Sequence, residues 1–451
     1  MPNSKPNILF IIIDSLRSDK FFETNYQNKN IKKLLTKSIA FNNTISCSNA
    51  TILSWTGLFT SKYPFKTGIR SEKFNRLNNE IITCFDILKN NDYSFYGYLP
   101  KLSETIGLFP PFKNGDVYYD FFMGLTNGLG DKVIKKIKSI SNQPWFFLVH
   151  TMDLHDPIHN SKEYNSEKYG RNSYEKKLSE IDDWLGRIFS EVDHENTVIV
   201  ITGDHGSYIK SINYENTELN FNPDPNSEIF ISKITRKTPE FLKPLKNRLF
   251  FAVEKRKSEK KAKFLEKKNL SPHEKRALLA GKADKDHFLF DELIKVPLII
   301  ANSNFPKNKI IEEQIRTVDI FPTIFDYLGI NFHENIDGIS QKELVNGKKT
   351  DEFPAYIESN PLVLTSSNDV IGIRTSKFKY FRDVNDSTKR VHLYNLLEDP
   401  LEENNISTND KIVKELEKNL TQIIDGFISK KESNEKETKE IESELKKLGY
   451  V

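Results

Sequence analysis

The sequence predicts an α/β fold with a largely parallel central sheet. Three short apolar runs, at residues 8–13, 145–149 and 197–202, have the composition of strands that are buried on both faces. Between the second and third runs, apolar residues recur at helical spacing over residues 174–192, which predicts an amphipathic crossover helix. Buried strands that alternate with amphipathic helices are typical of α/β domains.

Acidic and imidazole side chains follow each of the three predicted strands. Asp14 follows the first strand, His150 ends the second with His155 just beyond it, and Asp204 and His205 follow the third. Because ligands bind at the carboxyl edge of open parallel sheets, we expect these side chains to meet there. A polar residue at one strand end is an ordinary turn residue, so the prediction of a site rests on the coincidence of all three.

A hydroxyl-rich segment at residues 48–70 contains the residue that we predict to be the nucleophile, Thr51. The apolar run behind it, residues 53–60, is predicted to be a helix. A hydroxyl at a helix N-terminus lies beside unpaired backbone N–H groups and the positive end of the helix dipole, which suits an anionic ester such as a phosphate or a sulfate. Threonine is also a common N-cap, and that purely structural role is the alternative.

The length of 451 residues fits one large α/β domain and a smaller one. We expect the large domain at residues 1–350, and a small domain of short antiparallel strands at 351–428. A highly charged helical tail is expected at 429–451.

A basic helical insertion is predicted at about residues 207–285, within the large domain. It includes a capping box that begins a short helix at residues 272–280. A solvated, ion-paired face is the ordinary role of such a charge run. The alternative is peripheral contact with an anionic surface through residues 241–268, because an apolar stretch precedes the basic residues.

Composition excludes several classes of protein. The formal net charge of +3 gives no reason to expect a nucleic-acid partner, and two cysteines, Cys47 and Cys84, do not make a disulfide scaffold, although one bridge is possible. The N-terminal apolar run is too short to span a bilayer and is not followed by a signal-peptide cleavage site. We therefore expect a cytoplasmic protein.

A series of motifs, in order and over nearly the whole chain, resembles the sulfatase-like branch of the alkaline phosphatase superfamily. The matching stretches are PNILFIIIDSLRSD, TILSWTGLFTSKYPFKTGI, GDVYYDFFMG, FFLVHTMDLHDP, VIVITGDHG, HFLFDELIKVPLII, VDIFPTIFDYLGI, DGIS, IRTSKFKYFRD and LYNLLEDPLEENNI. The resemblance implies an αβα sandwich with a mixed, mostly parallel central sheet. It also implies a smaller C-terminal α+β domain with an antiparallel sheet.

The resemblance also implies roles for individual residues. The implied ligands of a divalent metal are Asp14, Thr51, Asp204 and His205. His155 and His287 are the implied catalytic histidines, which in relatives hold the ester oxygens, assist the leaving group or bind a second metal. Asp153 is a further candidate ligand for a second metal, and Lys101 lies near a lysine position of the family.

Three departures from the family pattern guide the prediction of chemistry. Sulfatases carry a cysteine or serine that becomes formylglycine, and here that position is Thr51, which cannot be converted; Cys47 is four residues too early. The partner arginine position is Trp55, and the second acidic position after Asp14 is Ser15. With a histidine ligand at position 205, we expect zinc or manganese, with calcium or magnesium as alternatives, and one or two ions.

We therefore expect a metal-dependent phosphoester hydrolase or phosphotransferase that works through Thr51. The anionic substrate is expected to be a phosphodiester or phosphomonoester on a glycan, a lipid or a small metabolite. The first alternative is a sulfuric ester hydrolase. The second is a non-catalytic descendant that binds a polyanion or glycan, and a structure in which the Thr51 hydroxyl points away from the predicted metal ligands would favour it.

Overall fold

The computed structural model describes residues 5–23, 26–69, 76–78, 80–104, 106–119, 123–215, 217–221, 256–280, 289–332, 335–359 and 369–424. The strands are β1 (Asn7–Ile13), β2 (Ser38–Ile45), β3 (Ser94–Pro100), β4 (Tyr118–Tyr119), β5 (Trp145–Thr151), β6 (Thr197–Gly203), β7 (Ser211–Tyr214), β8 (Thr217–Asn220), β9 (Lys295–Ala301), β10 (Lys309–Ile311), β11 (Ile315–Arg316), β12 (Ala355–Glu358), β13 (Val370–Arg374), β14 (Phe378–Asp383) and β15 (His392–Asn395).

The α-helices are α1 (Ser18–Phe22), α2 (Lys29–Leu35), α3 (Thr51–Thr60), α4 (Cys84–Lys89), α5 (Leu129–Ser139), α6 (Ser173–Phe189), α7 (256–266), α8 (Pro272–Leu279), α9 (Asp291–Ile294), α10 (Ile320–Leu328), α11 (Lys342–Val345) and α12 (Asp410–Ile424). Short 3-10 helices lie at Pro64–Lys66, Lys101–Glu104, Leu125–Asn127, Glu167–Tyr169 and Thr317–Asp319. No helix in the described segments is both long enough and apolar enough to cross a membrane.

The predicted fold class is confirmed. A nine-stranded sheet has the order β10-β2-β9-β6-β1-β5-β3-β4, with β11 also paired to β2. Its pairs are parallel except where β9 runs antiparallel to both β2 and β6. A second sheet, β12-β13-β14-β15, is antiparallel throughout. The boundary that we expect between the two domains at about residue 350 stays a prediction.

The register of the three central strands brings the predicted site together. All seven residues of β1 are buried between β5 and β6. Ile13, the last residue of β1, pairs with Thr151 on one side and with Gly203 on the other. Because the three strands are parallel and end at the same level, the residues at their C-terminal ends lie along one edge of the sheet.

Aromatic packing fixes helix α3 on the sheet. Phe10 of β1 stacks on Phe321 of α10 with a ring separation of 5.3 Å, and Phe59 of α3 lies 6.1 Å and 5.8 Å from those two rings. All three side chains are fully buried. The C-terminal half of α3 is thus anchored against β1, which places the N-terminus of the same helix at the edge where β1 ends.

The insertion stays a prediction, and part of its sequence lies in the described residues. Helix α8 begins with the expected capping box, in which Ser271 Oγ accepts from the Glu274 amide and the Glu274 carboxylate accepts from the Ser271 amide. The structure adds an antiparallel hairpin, β7–β8, whose sequence SINYENTELN has too little apolar alternation to predict strands. Residues 222–255 and 281–288 lie outside the described part of the chain, as does the predicted tail from residue 425.

Candidate active site

The Thr51 hydroxyl lies between two of the predicted metal ligands. Thr51 is the first residue of α3, and Ala50 before it is extended, with φ −146°. Thr51 Oγ1 donates to Asp14 Oδ2 at 3.3 Å and lies 3.4 Å from His205 Nε2. Ala50, not Thr51, occupies the N-cap position, so the N-cap alternative for Thr51 is wrong.

Each of the two carboxylates has one oxygen held by local donors and one that faces the centre of the site. Ser15 Oγ donates to Asp14 Oδ1 at 2.7 Å, and the His205 and Ser15 amides donate to Asp204 Oδ1 at 2.8 and 3.4 Å. Asp14 Oδ2 and Asp204 Oδ2 are each 3.5 Å from His150 Nε2. Both aspartates are almost completely buried.

His150 enters the centre of the cluster, although we did not expect it as a ligand. Among the described residues, the acids, histidines and cysteines whose ligand atoms all lie within 4.8 Å of one another are Asp14, His150 and Asp204. The signal in the sequence was the position of His150 at the end of a predicted strand. In the structure His150 pairs with Ile12 of β1, one residue before β5 ends. His205 contacts the site at Thr51, and its Nδ1 faces the Gly206 carbonyl at 2.8 Å.

The residues of the cluster fit a divalent cation. His150 Nε2 and Asp204 Oδ2 are buried, and neither has a hydrogen-bond partner in the described part of the chain. Buried polar atoms are normally paired, so two such atoms that face each other point to a bound group. Carboxylate oxygens and imidazole nitrogens are common metal ligands, and the sulfatase-like resemblance implies a divalent ion at this edge of the sheet.

The charges in the cluster perturb one another strongly. Burial disfavours the ionised form of Asp14, but contacts with His150, His205 and His155 outweigh this and hold the pKa of its carboxyl well below the usual range. Burial also disfavours imidazolium at position 150, yet Asp14 and Asp204 raise the pKa of His150 to about 9. Without a cation, a protonated His150 compensates the two carboxylates, so cation binding is expected to release a proton.

His155 lies near the cluster, close enough to Asp14 and His205 for their charges to act on it. Its Nδ1 is 2.8 Å from the Asp156 carbonyl oxygen. Burial is the main cause that lowers the pKa of His155, and it favours the neutral ring. The other predicted catalytic histidine, His287, lies outside the described residues.

Two further candidates have different environments. Asp153 accepts from the Leu125 amide, the Thr126 amide and hydroxyl, and the Thr151 hydroxyl, so its carboxylate holds the 3-10 turn at Leu125–Asn127. Those contacts leave it poorly placed to bind a second metal. Lys101 begins a 3-10 helix at the end of β3, and its side chain is exposed.

Cys47 and Trp55 show how this site departs from the sulfatase pattern. Cys47 is buried beside α3, where its Sγ donates to the Leu53 carbonyl at 3.4 Å, and burial raises the pKa of its thiol. It is therefore not placed to act as the nucleophile. Trp55 packs edge-on against His150, with a ring separation of 4.7 Å, and against Phe109.

Comparison with known proteins identifies the family. The sequence model of the sulfatase family matches residues 6–330. The chain belongs to the sulfatase family. The C-terminal region of the family described as N-sulphoglucosamine sulphohydrolase also matches, over residues 281–429. Arylsulfatase K of Mus musculus is 24% identical over 143 residues, which are 30% of this chain and 26% of that protein, so the match spans about a quarter of the relative's length.

Solved structures of the sulfatase type have the same fold. A phosphonate monoester hydrolase of Agrobacterium radiobacter has a TM-score of 0.61 at 14% identity, over 93% of this chain and 95% of that one. A 2-O GAG sulfatase has a TM-score of 0.62 at 16% identity, over 96% of each chain. A protein from a glycosaminoglycan-metabolism locus of Bacteroides thetaiotaomicron has a TM-score of 0.61 at 14% identity, over 93% and 96%. These likenesses establish the fold of this sulfatase-family chain.

Proposed function

We propose that this sulfatase-family protein is a metal-dependent phosphoester hydrolase or phosphotransferase with Thr51 as its nucleophile. The observation that carries the proposal is the position of the Thr51 hydroxyl, at the start of α3 and 3.3–3.4 Å from Asp14 and His205. Threonine stands where sulfatases have the precursor of formylglycine. An unmodified hydroxyl suits direct attack on phosphorus, through a covalent phosphoryl intermediate.

The residues around Thr51 are suited to activate it. A divalent cation, when bound, supplies Lewis acidity that favours the alkoxide and neutralises charge on the transferred group. Asp14, Asp204 and His205 would hold that cation beside the Thr51 hydroxyl, which His205 also contacts at Oγ1. The backbone N–H groups at the start of α3 point toward a bound anion and stabilise charge on its equatorial oxygens.

His155 is the proposed proton carrier. The Thr51 oxygen attacks phosphorus in line and its proton passes to solvent, while the bond between phosphorus and the ester oxygen breaks on the opposite side. His155 or His287 would donate a proton to the departing alcohol oxygen there and regain one from solvent. Water, or an acceptor hydroxyl in a transferase, releases the phosphoryl group from Thr51. His287 stays a predicted participant.

The substrate is proposed to be an anionic ester on a glycan. One structure with the same fold belongs to a glycosaminoglycan-metabolism locus, and another is a 2-O GAG sulfatase. The relative that matches part of this chain is an arylsulfatase. These names support a carbohydrate-linked ester more than a lipid or a small metabolite. The phosphonate monoester hydrolase with this fold is compatible with attack at phosphorus.

Sulfuric ester hydrolysis is the second candidate function. The family match and the partial relative, arylsulfatase K, favour it. Against it stands Thr51, which lacks the formylglycine chemistry, and Cys47 is buried away from the cluster. The two candidates differ in which ester is cleaved and in whether a phosphorylated enzyme forms.

We also propose that helix α7 contacts an anionic surface. It presents exposed cations at Arg256, Lys260 and Lys263, with one acidic residue, Glu259, among them. The helix packs on hairpin β7–β8 partly through the contact of Lys261 with the Phe221 ring. The outward face therefore keeps a positive charge that suits a polyanionic glycan or an anionic lipid surface.

The decisive experiment measures turnover of aryl phosphate monoesters, phosphodiesters and aryl sulfates by metal-loaded protein. We expect Thr51→Val to lower phosphoester turnover by at least about 1,000-fold, and Thr51→Ser to retain part of the activity. Thr56→Val is the matched control, because it removes a buried hydroxyl of the same helix that donates to the Ile52 carbonyl. An acid quench should trap phosphate on the peptide that contains Thr51. Sulfate turnover that survives Thr51→Val would refute the assigned nucleophile.

A further inference from the structure

We infer that His150 is a direct ligand of the active-site cation, together with Asp14 and Asp204, and that Tyr119 and Trp55 hold its ring in the ligating orientation. The inference rests on the proposed function for the presence of a cation. It adds a ligand that the sequence motifs did not indicate, and it predicts which metals the site prefers.

The distances in the cluster suit ligand atoms around an ion and are longer than a direct charge-assisted hydrogen bond. His150 Nε2 lies 3.5 Å from both Asp14 Oδ2 and Asp204 Oδ2. A charge-assisted N–H···O bond is about 2.7–2.9 Å long. Ligand atoms placed tetrahedrally about 2.1 Å from a zinc ion lie about 3.4 Å apart. The three side chains therefore converge at a spacing that fits ligands of a shared small cation.

Tyr119 fixes the tautomer that ligation needs. Tyr119 Oη lies 3.0 Å from His150 Nδ1 and 3.1 Å from the His150 carbonyl oxygen. A hydroxyl has one proton, so if Tyr119 donates it to the carbonyl, its oxygen accepts from Nδ1–H. The lone pair of the imidazole then lies on Nε2 and faces the carboxylates. Outer partners of this kind orient metal-binding histidines.

Trp55 restricts the imidazole from the side. Its ring meets the His150 ring edge-on at a separation of 4.7 Å and an interplanar angle of 82°. Both side chains are buried, so rotation of the imidazole away from the carboxylates would require repacking. The tryptophan in the arginine position of the sulfatase pattern thus contributes to the cation site through His150.

An imidazole in the inner ligand set changes the preferred metal. Calcium and magnesium favour oxygen ligands, whereas imidazole suits zinc and other transition metals. With His150 as a ligand, zinc should bind far more tightly than calcium. His150→Gln replaces the ligand nitrogen by an amide oxygen, and it should reduce the difference between the zinc and calcium affinities.

The test is metal titration of metal-free protein by calorimetry, with zinc and calcium, for wild type, His150→Gln and Tyr119→Phe. We expect His150→Gln to weaken zinc binding at least about 100-fold and to change calcium binding much less, and Tyr119→Phe to weaken zinc binding about 10-fold or more. His194→Gln is the control, since this histidine is exposed and precedes β6 at the end of the strand opposite to Asp204. X-ray absorption of zinc-loaded His150→Gln should show one imidazole ligand fewer than wild type.

Wild-type zinc affinity in His150→Gln, with an unchanged number of imidazole ligands, would overturn the inference. If His150→Gln does not fold, Tyr119→Phe carries the test, because it keeps the ring and removes only the hydroxyl; full zinc affinity there would overturn the role of Tyr119. The outcome is separable from the proposed function. If His150→Gln loses zinc binding but wild type turns over no phosphoester, the ligand assignment is supported and the proposed activity is refuted. If wild type shows metal-dependent phosphoester turnover but His150→Gln binds zinc as tightly as wild type, the activity is supported and the ligand assignment is refuted.

Discussion

Glu292 anchors the loop that carries Asp204 and His205, and its charge can be tested through stability. Its Oε1 accepts from His273 Nε2 at 2.7 Å and from Arg276 at 3.1 Å, so α9 is tied to α8 of the insertion. Its backbone oxygen packs so closely on Gly206 that a Cβ there would lie 2.1 Å away. Burial disfavours the carboxylate, but His273 and Arg276 outweigh it and lower the pKa of Glu292 from 4.5 to about 2.

The magnitude and sign of the expected effect follow from that pKa. Because the pKa is lower in the folded state than in the unfolded state, the carboxylate adds stability that is fully present above about pH 4.5 and is lost as the pH falls toward 2. At about 1.4 kcal/mol per unit of pKa, the contribution at neutral pH is about 3 kcal/mol. Glu292→Gln should therefore lower the free energy of unfolding by about this amount at neutral pH, and by much less in acid.

Urea unfolding of metal-free wild type and Glu292→Gln, at several pH values from about 7 to 3, measures this difference. Glu343→Gln is the control: Glu343 pairs with Lys348 at 2.6 Å, but both side chains are 65% exposed, so we expect an effect below about 1 kcal/mol. The reasoning is refuted if the difference between wild type and Glu292→Gln stays constant over the pH range, because the ionised form would then contribute nothing.

Three further outcomes are expected. Removal of the cation with a chelator should lower the thermal unfolding midpoint, since an ion at 100 times its dissociation constant stabilises by about 2.7 kcal/mol; an unchanged midpoint would argue against a bound metal. Phe321→Ala should cost about 3–5 kcal/mol in urea unfolding because it removes the ring stacked on Phe10, whereas Phe353→Ala, at a 48% exposed position, should cost little. The double variant Lys260→Glu, Lys263→Glu should sediment less with anionic vesicles or bind heparin less; wild-type binding would rule out α7 as the contact.

Much of the fold was predictable because the signal is local. The three central strands are fully buried, so their apolar runs are continuous, and the structure extends each prediction by at most two residues. The strands of the small sheet, among them Ala355–Glu358 and Val370–Arg374, lie in the region where we expect short antiparallel strands. By contrast, β7 and β8 pair through their backbones with little apolar alternation, so periodicity gave no indication of them.

The sequence predicted several residues of the candidate site but not the contacts between their side chains. Motif order indicated Asp14, Thr51 and Asp204, and the structure brings these residues together. His150 was noted only as a strand end, because which side of the sheet edge a side chain faces depends on pairing with β1. The contact of Tyr119 with His150 joins residues 31 positions apart in the sequence, and no local pattern encodes it.

The placement of β2 has a consequence for how the protein is made. Strand β2 leads directly into the segment that carries Thr51, yet its partners in the sheet, β9, β10 and β11, are synthesised more than 240 residues later. Contacts of such long sequence separation form late, because closing a large loop costs entropy before any pairing repays it. On the ribosome, β1, β5 and β6 can pair before any partner strand of β2 has been synthesised. Thr51 therefore reaches its position beside Asp14 only after β11, which ends at Arg316 of the 451 residues, has emerged.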